Sequence, residues 1–383
     1  MTTTEIRPAP EAGGGASDAA RPVRWWSGRV SFRMHRRTAL VSGGTLLLAA
    51  LLLLVSLCVG SYPVPVPDVA RALFYGTGDR LAVHFVNQER LPQALLAILV
   101  GGALGMSGAI FQSVSRNALA SPDVIGFNSG AATGAILVIV TFGGAAASVA
   151  AGAIVGGLVT ALLVSVLASR GGLQGIRLVL IGLGVTAMLG SVNSYLLTRS
   201  SLNDAQNAHI WLVGTLNGRG WSSVQIMAVA LALLLPPVLL FGRRLRMMEL
   251  GDDLATGLGV RVNRSRIALT VLGIGLCGVA VASAGPIPFI ALAAPQIAAM
   301  VTRGPGVSPV SAGAVGAGLL SAAHLASSQF FSALVWADRQ VGWVRVMEES
   351  QRNNLLPVGV TTAVLGGAYL AWVLFKRRGT GTA

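Results

Sequence analysis

Lysine is almost missing from this 383-residue chain; the single example is Lys376, close to the C-terminus. A nucleotide-binding P-loop needs a lysine directly before Ser or Thr to hold phosphates. Lys376 is followed by Arg377, so the chain is not a standard P-loop ATPase. Acidic residues are also scarce, and charged residues of all kinds make up only 11%. A soluble domain carries roughly 25%, so the deficit excludes an ordinary soluble globule. Only two cysteines occur, Cys58 and Cys277, both inside apolar runs. They read as core packing, with no spacing for a disulfide or a metal. Four histidines, His35, His84, His209 and His324, are scattered without ligand spacing. HExxH, CxxC and GxSxG patterns are missing too. The chain therefore reads as no enzyme, with no metal site and no cofactor of its own.

What is present is apolar sequence. Hydrophobic residues make up 53%, and 49 glycines suit helices packed closely through small residues. Spans need roughly 20 apolar residues each. Ten candidates fit: 39–60, 93–113, 124–142, 146–168, 178–198, 224–241, 267–284, 287–301, 311–334 and 357–375. The eighth is the weakest, because Pro286, Pro288 and Pro295 would break or bend it. The fold class is thus an all-α polytopic membrane protein of about ten helices. Residues 1–38 read as a basic, disordered N-terminal tail, 39–378 as the transmembrane domain and 379–383 as a C-terminal tail.

The formal net charge is +14. Its arginines sit in short loops between apolar runs, so positive-inside topology explains them. No continuous basic face exists to track a nucleic acid. With ten spans, Arg21 to Arg37, Arg170 and Arg177, the arginines around residue 250, and Lys376 to Arg378 fall on one side. That side is cytoplasmic by the same rule, so both termini are expected inside the cytoplasmic (inner) membrane, with lipid around the helices. Almost no ionisable residue lies in mid-span, His324 coming closest. A proton-coupled secondary transporter needs such groups, so the driving force is expected from outside the membrane.

Three segments between spans stand out. Residues 247–261 form a short acidic-then-apolar stretch, Leu250-Gly251-Asp252-Asp253-Leu254-Ala255, continuing to Leu258-Gly259. Arg243, Arg244 and Arg246 precede it, and Arg261, Arg264 and Arg266 follow. Asp252 and Asp253 favour a helix N-terminus, and Gly251, Gly257 and Gly259 permit tight turns. Such a segment on a membrane protein offers a handle to a soluble partner. The other two segments are polar and extracytoplasmic in this topology. Residues 199–221 have room for a short outer helix, and 337–356 place Val341, Val344 and Met347 at the spacing of a surface amphipathic helix.

Glu89-Arg90-Leu91-Pro92, the run from Arg116 to Ala131, Gly285-Pro286-Ile287, Ala294-Pro295-Gln296-Ile297-Ala298 and Leu356-Pro357-Val358-Gly359-Val360 together resemble the permease subunits of type II ABC importers for ferric siderophores and vitamin B12. Glu89-Arg90-Leu91-Pro92 matches that family's R-x-P opening of the second helix. The run Arg116-Asn117-Ala118-Leu119-Ala120-Ser121-Pro122-Asp123, continuing to Gly130-Ala131, resembles its RNPLxxPDxxGxxSGA signature. Gly285-Pro286-Ile287, Ala294-Pro295-Gln296-Ile297-Ala298 and Leu356-Pro357-Val358-Gly359-Val360 follow its GPIGF, PxIA and LPVGV patterns. The wording is nearest to the ferric-enterobactin subgroup. Departures are Ala118 in place of Pro, Pro288 in place of Gly and Gln93 in place of a second Arg. The stretch from about His324 to Leu355 does not follow the family's ADLxAR pattern.

The resemblance implies a specific assembly. A cytoplasmic ABC ATPase dimer, carrying ATP and Mg, would dock on Leu250, Gly251, Asp252, Asp253, Leu254, Ala255, Leu258 and Gly259. Of these, Leu254, Ala255 and Leu258 would enter its groove. An extracytoplasmic substrate-binding protein would place an acidic residue on Arg90. A second permease subunit, a sister chain in preference to another copy, would complete the path. Asn193, Ser194 and Tyr195 are the candidate path residues, against the alternative of interhelical hydrogen bonds. A cobalamin or haem importer of the same family is the alternative substrate reading, and a secondary transporter the alternative class.

Overall fold

The computed structural model describes residues 22–25, 30–33, 36–60, 62–143, 146–169, 175–303, 308–341 and 356–378. Ten of its helices correspond one to one with the expected spans. They are α1 (Arg36–Cys58), α4 (Leu91–Ser115), α5 (Phe127–Phe142), α6 (Ala146–Ser169), α7 (Gly175–Arg199), α9 (Trp221–Glu249), α11 (Val262–Ala284), α12 (Ile290–Thr302), α13 (Pro309–Val341) and α14 (Val358–Arg378). Seven segments are long and apolar enough to cross a membrane, and α5, α12 and α14 supply three shorter apolar helices.

Shorter helices fill the connections. They are α2 (Val66–Tyr75), α3 (Arg80–His84), α8 (Leu202–Val213) and α10 (Asp252–Gly257). Helix α3, a π-helical turn over Phe85–Arg90 and α4 run on as one helix from Arg80 to Ser115, so Pro92 lies inside it, just past the π turn that accommodates its missing N–H. The outer segment 199–221 holds α8, capped by Ser201, whose Oγ accepts from the Asp204 N–H at 3.2 Å.

Three expectations need correction. The tail 1–38 is not wholly without structure. Residues Pro22–Trp25 (β1) and Val30–Arg33 (β2) pair as an antiparallel ribbon, with Pro22 opposite Arg33 and Trp25 opposite Val30. The prolines near the eighth span act differently from one another. Pro286 and Pro288 lie in a non-helical lead-in, and α12 begins only after Phe289, whereas Pro295 sits inside the helix. The start is delayed because the chain passes through Gly285 and Phe289 at φ 76° and 68°, outside right-handed helix geometry. The segment 337–356 begins as the last turns of α13; the expected positions Val344 and Met347 lie outside the described residues.

The core is built on α4. It is the most deeply buried of the long helices and touches α13, α9, α11 and α12. Gly101 and Gly105 lie directly against the Gly316 and Ala312 carbonyls of α13, so a β-carbon at either glycine would overlap backbone. This is the close helix approach that small residues allow in a membrane. Ser107 adds a hydrogen bond of 2.7 Å from its Oγ to the Gly273 carbonyl of α11. Phe127, Ile110 and Leu276 fill the space between α4, α5 and α11. By contrast α7 is peripheral, with Leu180, Leu183, Met188 and Tyr195 exposed.

Candidate functional site

The segment after α9 forms a small exposed element, the candidate for docking. Helix α9 runs past the apolar span to Glu249, and Leu250 and Gly251 turn the chain into α10. Gly251 and Gly259 bracket the turn at φ 119° and 82°, values that favour glycine. Gly257, in contrast, is the last helical residue and has no left-handed geometry. Asp252 and Asp253 occupy the first turn of α10. Leu254 on α10, Leu258 at its C-terminal end and Leu250 just before the Gly251 turn are 62%, 60% and 62% exposed, three apolar side chains left open on one short segment. Ala255 is fully buried beneath the helix. It therefore cannot enter a partner's groove; Leu250 is the third exposed apolar group.

Asp252 anchors this element. Arg266 of α11 donates from Nη2 to both carboxylate oxygens, at 2.9 and 3.1 Å. Arg116, immediately after α4, pairs with the same carboxylate and donates to the Met248 carbonyl at 3.0 Å. Ser113 of α4 donates to Glu249 at 2.6 Å. The Arg266 guanidinium beside Asp252, helped by Arg116, holds its carboxyl below the usual carboxylate range. Arg116 caps α4 in left-handed geometry, φ 50°, which turns its side chain toward α10.

At the opposite end of α4 sits Arg90. Its Nη1 donates to the Leu57 carbonyl at 2.8 Å and its Nη2 to the Tyr62 carbonyl at 2.6 Å. The guanidinium also lies 5.9 Å from the Phe85 ring centroid and presses against Gly60. Arg90 is half-buried and turned onto the loop after α1. Within this chain Arg90 is thus an intramolecular clamp on the loop after α1. Sequence spacing places an arginine at this helix end but not the direction of its side chain.

The candidate path residues divide. Asn193 accepts a hydrogen bond from Thr133 of α5 at 2.7 Å, so it is the interhelical tie of the alternative reading. Ser194 bonds within its own helix, to the Gly190 carbonyl at 3.0 Å. Ser194 and Tyr195 are exposed on the free face of α7. Gln296, by contrast, links three elements. Its Nε2 donates to the Ala118 carbonyl at 2.6 Å, and its Oε1 accepts from Tyr369 of α14 at 3.2 Å.

Sequence reasoning missed the Arg116, Arg266, Glu249 and Ser113 contacts. Arg116 and Arg266 were visible as residues, one in a signature run and one in a basic bracket. Only the fold brings them onto one carboxylate. Among the described residues no group of three or more His, Cys, Asp or Glu is placed to hold a metal.

Residues 47–342 match the FecCD transport family. The chain is 42% identical to the ferric enterobactin transport system permease protein FepG of Escherichia coli (strain K12), over 86% of this chain and 96% of that protein. It is 35% identical to the achromobactin transport system permease protein CbrC of Dickeya dadantii (strain 3937), over 92% of this chain and 96% of that one. It is 36% identical to the Fe(3+) dicitrate transport system permease protein FecD of Escherichia coli (strain K12), over 89% of this chain and all of that one. In fold it is similar to a metal-chelate type ABC transporter solved in an inward-facing conformation. The TM-score is 0.73 at 24% identity, covering 88% of this chain and 99% of that one.

Proposed function

The chain belongs to the FecCD transport family, and from that premise we propose that it is a permease subunit carrying a ferric siderophore across the cytoplasmic membrane. It is the transmembrane part of an ATP-driven importer and hydrolyses nothing itself. A separate ATPase pair supplies the energy, and a binding protein delivers the substrate. The observation that carries the ATPase-docking reading is the exposure of Leu250, Leu254 and Leu258 on and beside α10. A short helix of this kind, seated in an ATPase groove, passes nucleotide-driven closure on as a rigid-body displacement. With that end cytoplasmic, α2, α3 and α8 face the binding protein. The free face of α7, with Ser194 and Tyr195, is turned toward a second permease subunit, which we take to be a sister chain. Ferric enterobactin is the favoured cargo because the FepG relative is a ferric enterobactin transport system permease protein.

Uptake of radioiron-labelled ferric siderophores tests the reading, in cells lacking this gene and in cells complemented with it. Loss on deletion for one siderophore class, restored by the wild-type chain but not by Leu258→Asp, is expected. Unchanged siderophore uptake alongside lost cobalamin or haem uptake would overturn the substrate.

A further inference from the structure

We propose that Arg116 is a positioning residue that passes the displacement of α10 into the central helix α4, an inference that rests on the importer reading above.

Helix α10 is short, and Leu254, with Leu250 and Leu258 beside it, leaves its outer surface largely exposed. Its charged attachments converge on one side chain, Asp252. Arg266 holds Asp252 to α11, and the side chain of Arg266 is only 17% exposed. Its Nη2 donates to both Asp252 oxygens, and its Nε is buried without a hydrogen-bond partner. Arg116 holds the same carboxylate to α4, and its second bond to the Met248 carbonyl ties it to α9 as well. Ser113 repeats the α4–α9 tie one turn earlier through Glu249. Besides its chain connections to α9 and α11, a push on α10 therefore reaches α4 through one carboxylate.

The destination matters. Helix α4 is the buried centre of the bundle, packed backbone to backbone on α13 through Gly101 and Gly105. Such packed cores shift as units because they do not deform continuously. At its far end, about 37 Å away for 25 residues at helical rise, Arg90 grips the Leu57 and Tyr62 carbonyls. Helix α4 with an arginine clamp at each end is thus a strut between the docking element and the loop after α1. Coupling of this kind is carried by rigid elements and charged networks with two arrangements. Arg116 has no place in the leucine surface; it lies behind it, where it affects what a docked partner moves.

The test uses the complete importer in proteoliposomes: this chain, its partner permease, the ATPase and the binding protein, with radioiron-labelled ferric enterobactin and ATP. Wild-type complex that hydrolyses ATP but transports no ferric enterobactin would point to the importer or cargo reading as the fault. Given wild-type transport, Arg116→Gln should leave ATPase assembly and hydrolysis near normal. Uptake per ATP should fall by about tenfold, within the range of site-to-site coupling. Arg116→Lys, which keeps the charge, should recover part of it. Asp252→Asn should lower the same ratio, and adding Arg116→Gln to Asp252→Asn should lower it little further. Wild-type uptake per ATP in Arg116→Gln would overturn the proposal. So would a double variant whose losses simply multiply, or a loss of hydrolysis and uptake in equal proportion.

Discussion

Asp252 is held by two guanidinium groups, and its pH behaviour follows from them. Its carboxyl is depressed in the folded chain, chiefly by the Arg266 hydrogen bonds. A depressed carboxyl contributes stability that is present above the unfolded value of about 3.9 and lost as pH falls through the folded value. Attachment of α10 should therefore be flat across neutral pH and weaken only in strong acid. Amide protection of residues 252–257, followed by hydrogen exchange against pH, checks this; a change centred near neutrality would contradict it. Leu258 is a different kind of residue, exposed and without a structural task. Leu258→Asp should insert and fold normally while affinity for the ATPase falls by more than about tenfold, or 1.4 kcal/mol. Titration of detergent-solubilised complex with ATPase subunit measures it. Arg90→Gln removes two charge-assisted hydrogen bonds. For a half-buried group the loss should sit near the low end of about 1.5–3 kcal/mol. It would appear as a lower unfolding temperature, whether or not a binding protein is present. If folding were unchanged and only binding-protein affinity fell, Arg90 would be a docking residue after all.

At the scale of elements, the glycines of α4 and α7 make a controlled contrast. Gly105 faces the Ala312 carbonyl of α13, whereas a β-carbon at Gly184 of α7 would meet nothing within 4 Å. Gly105→Leu should destabilise by at least about 1–3 kcal/mol through overpacking, and Gly184→Leu should leave unfolding of the isolated chain unchanged. Thermal unfolding in detergent separates them; equal effects would mean that the α4–α13 contact is not the close approach described here. The helices themselves were legible because apolar runs of membrane length leave few alternatives. Helix α10 was legible too, from paired aspartates followed by leucines between glycines. What holds α10 was not, because Arg116 and Asp252 are 136 residues apart and no local pattern links them. The burial of Ala255 escaped for a related reason. One face of a six-residue helix is set by what packs beneath it, and the spacing of its apolar residues does not say which of them that is. The inward turn of Arg90 depends on the close pass of Gly60, again a contact between distant segments.

For the whole molecule, the account is that this chain moves a ferric chelate only when an ATPase acts on α10. The lack of a P-loop, the family match and the exposed leucines all bear on that single statement. A secondary transporter would instead work alone, on an ion gradient. The most direct measurement is accumulation of radioiron-labelled ferric enterobactin in proteoliposomes. These would hold this chain with its partner permease and binding protein, with and without the ATPase and ATP. The account predicts accumulation only when the ATPase and ATP are both present, and none when the chain carries Leu258→Asp. Accumulation without the ATPase, driven by an imposed proton gradient, would contradict it.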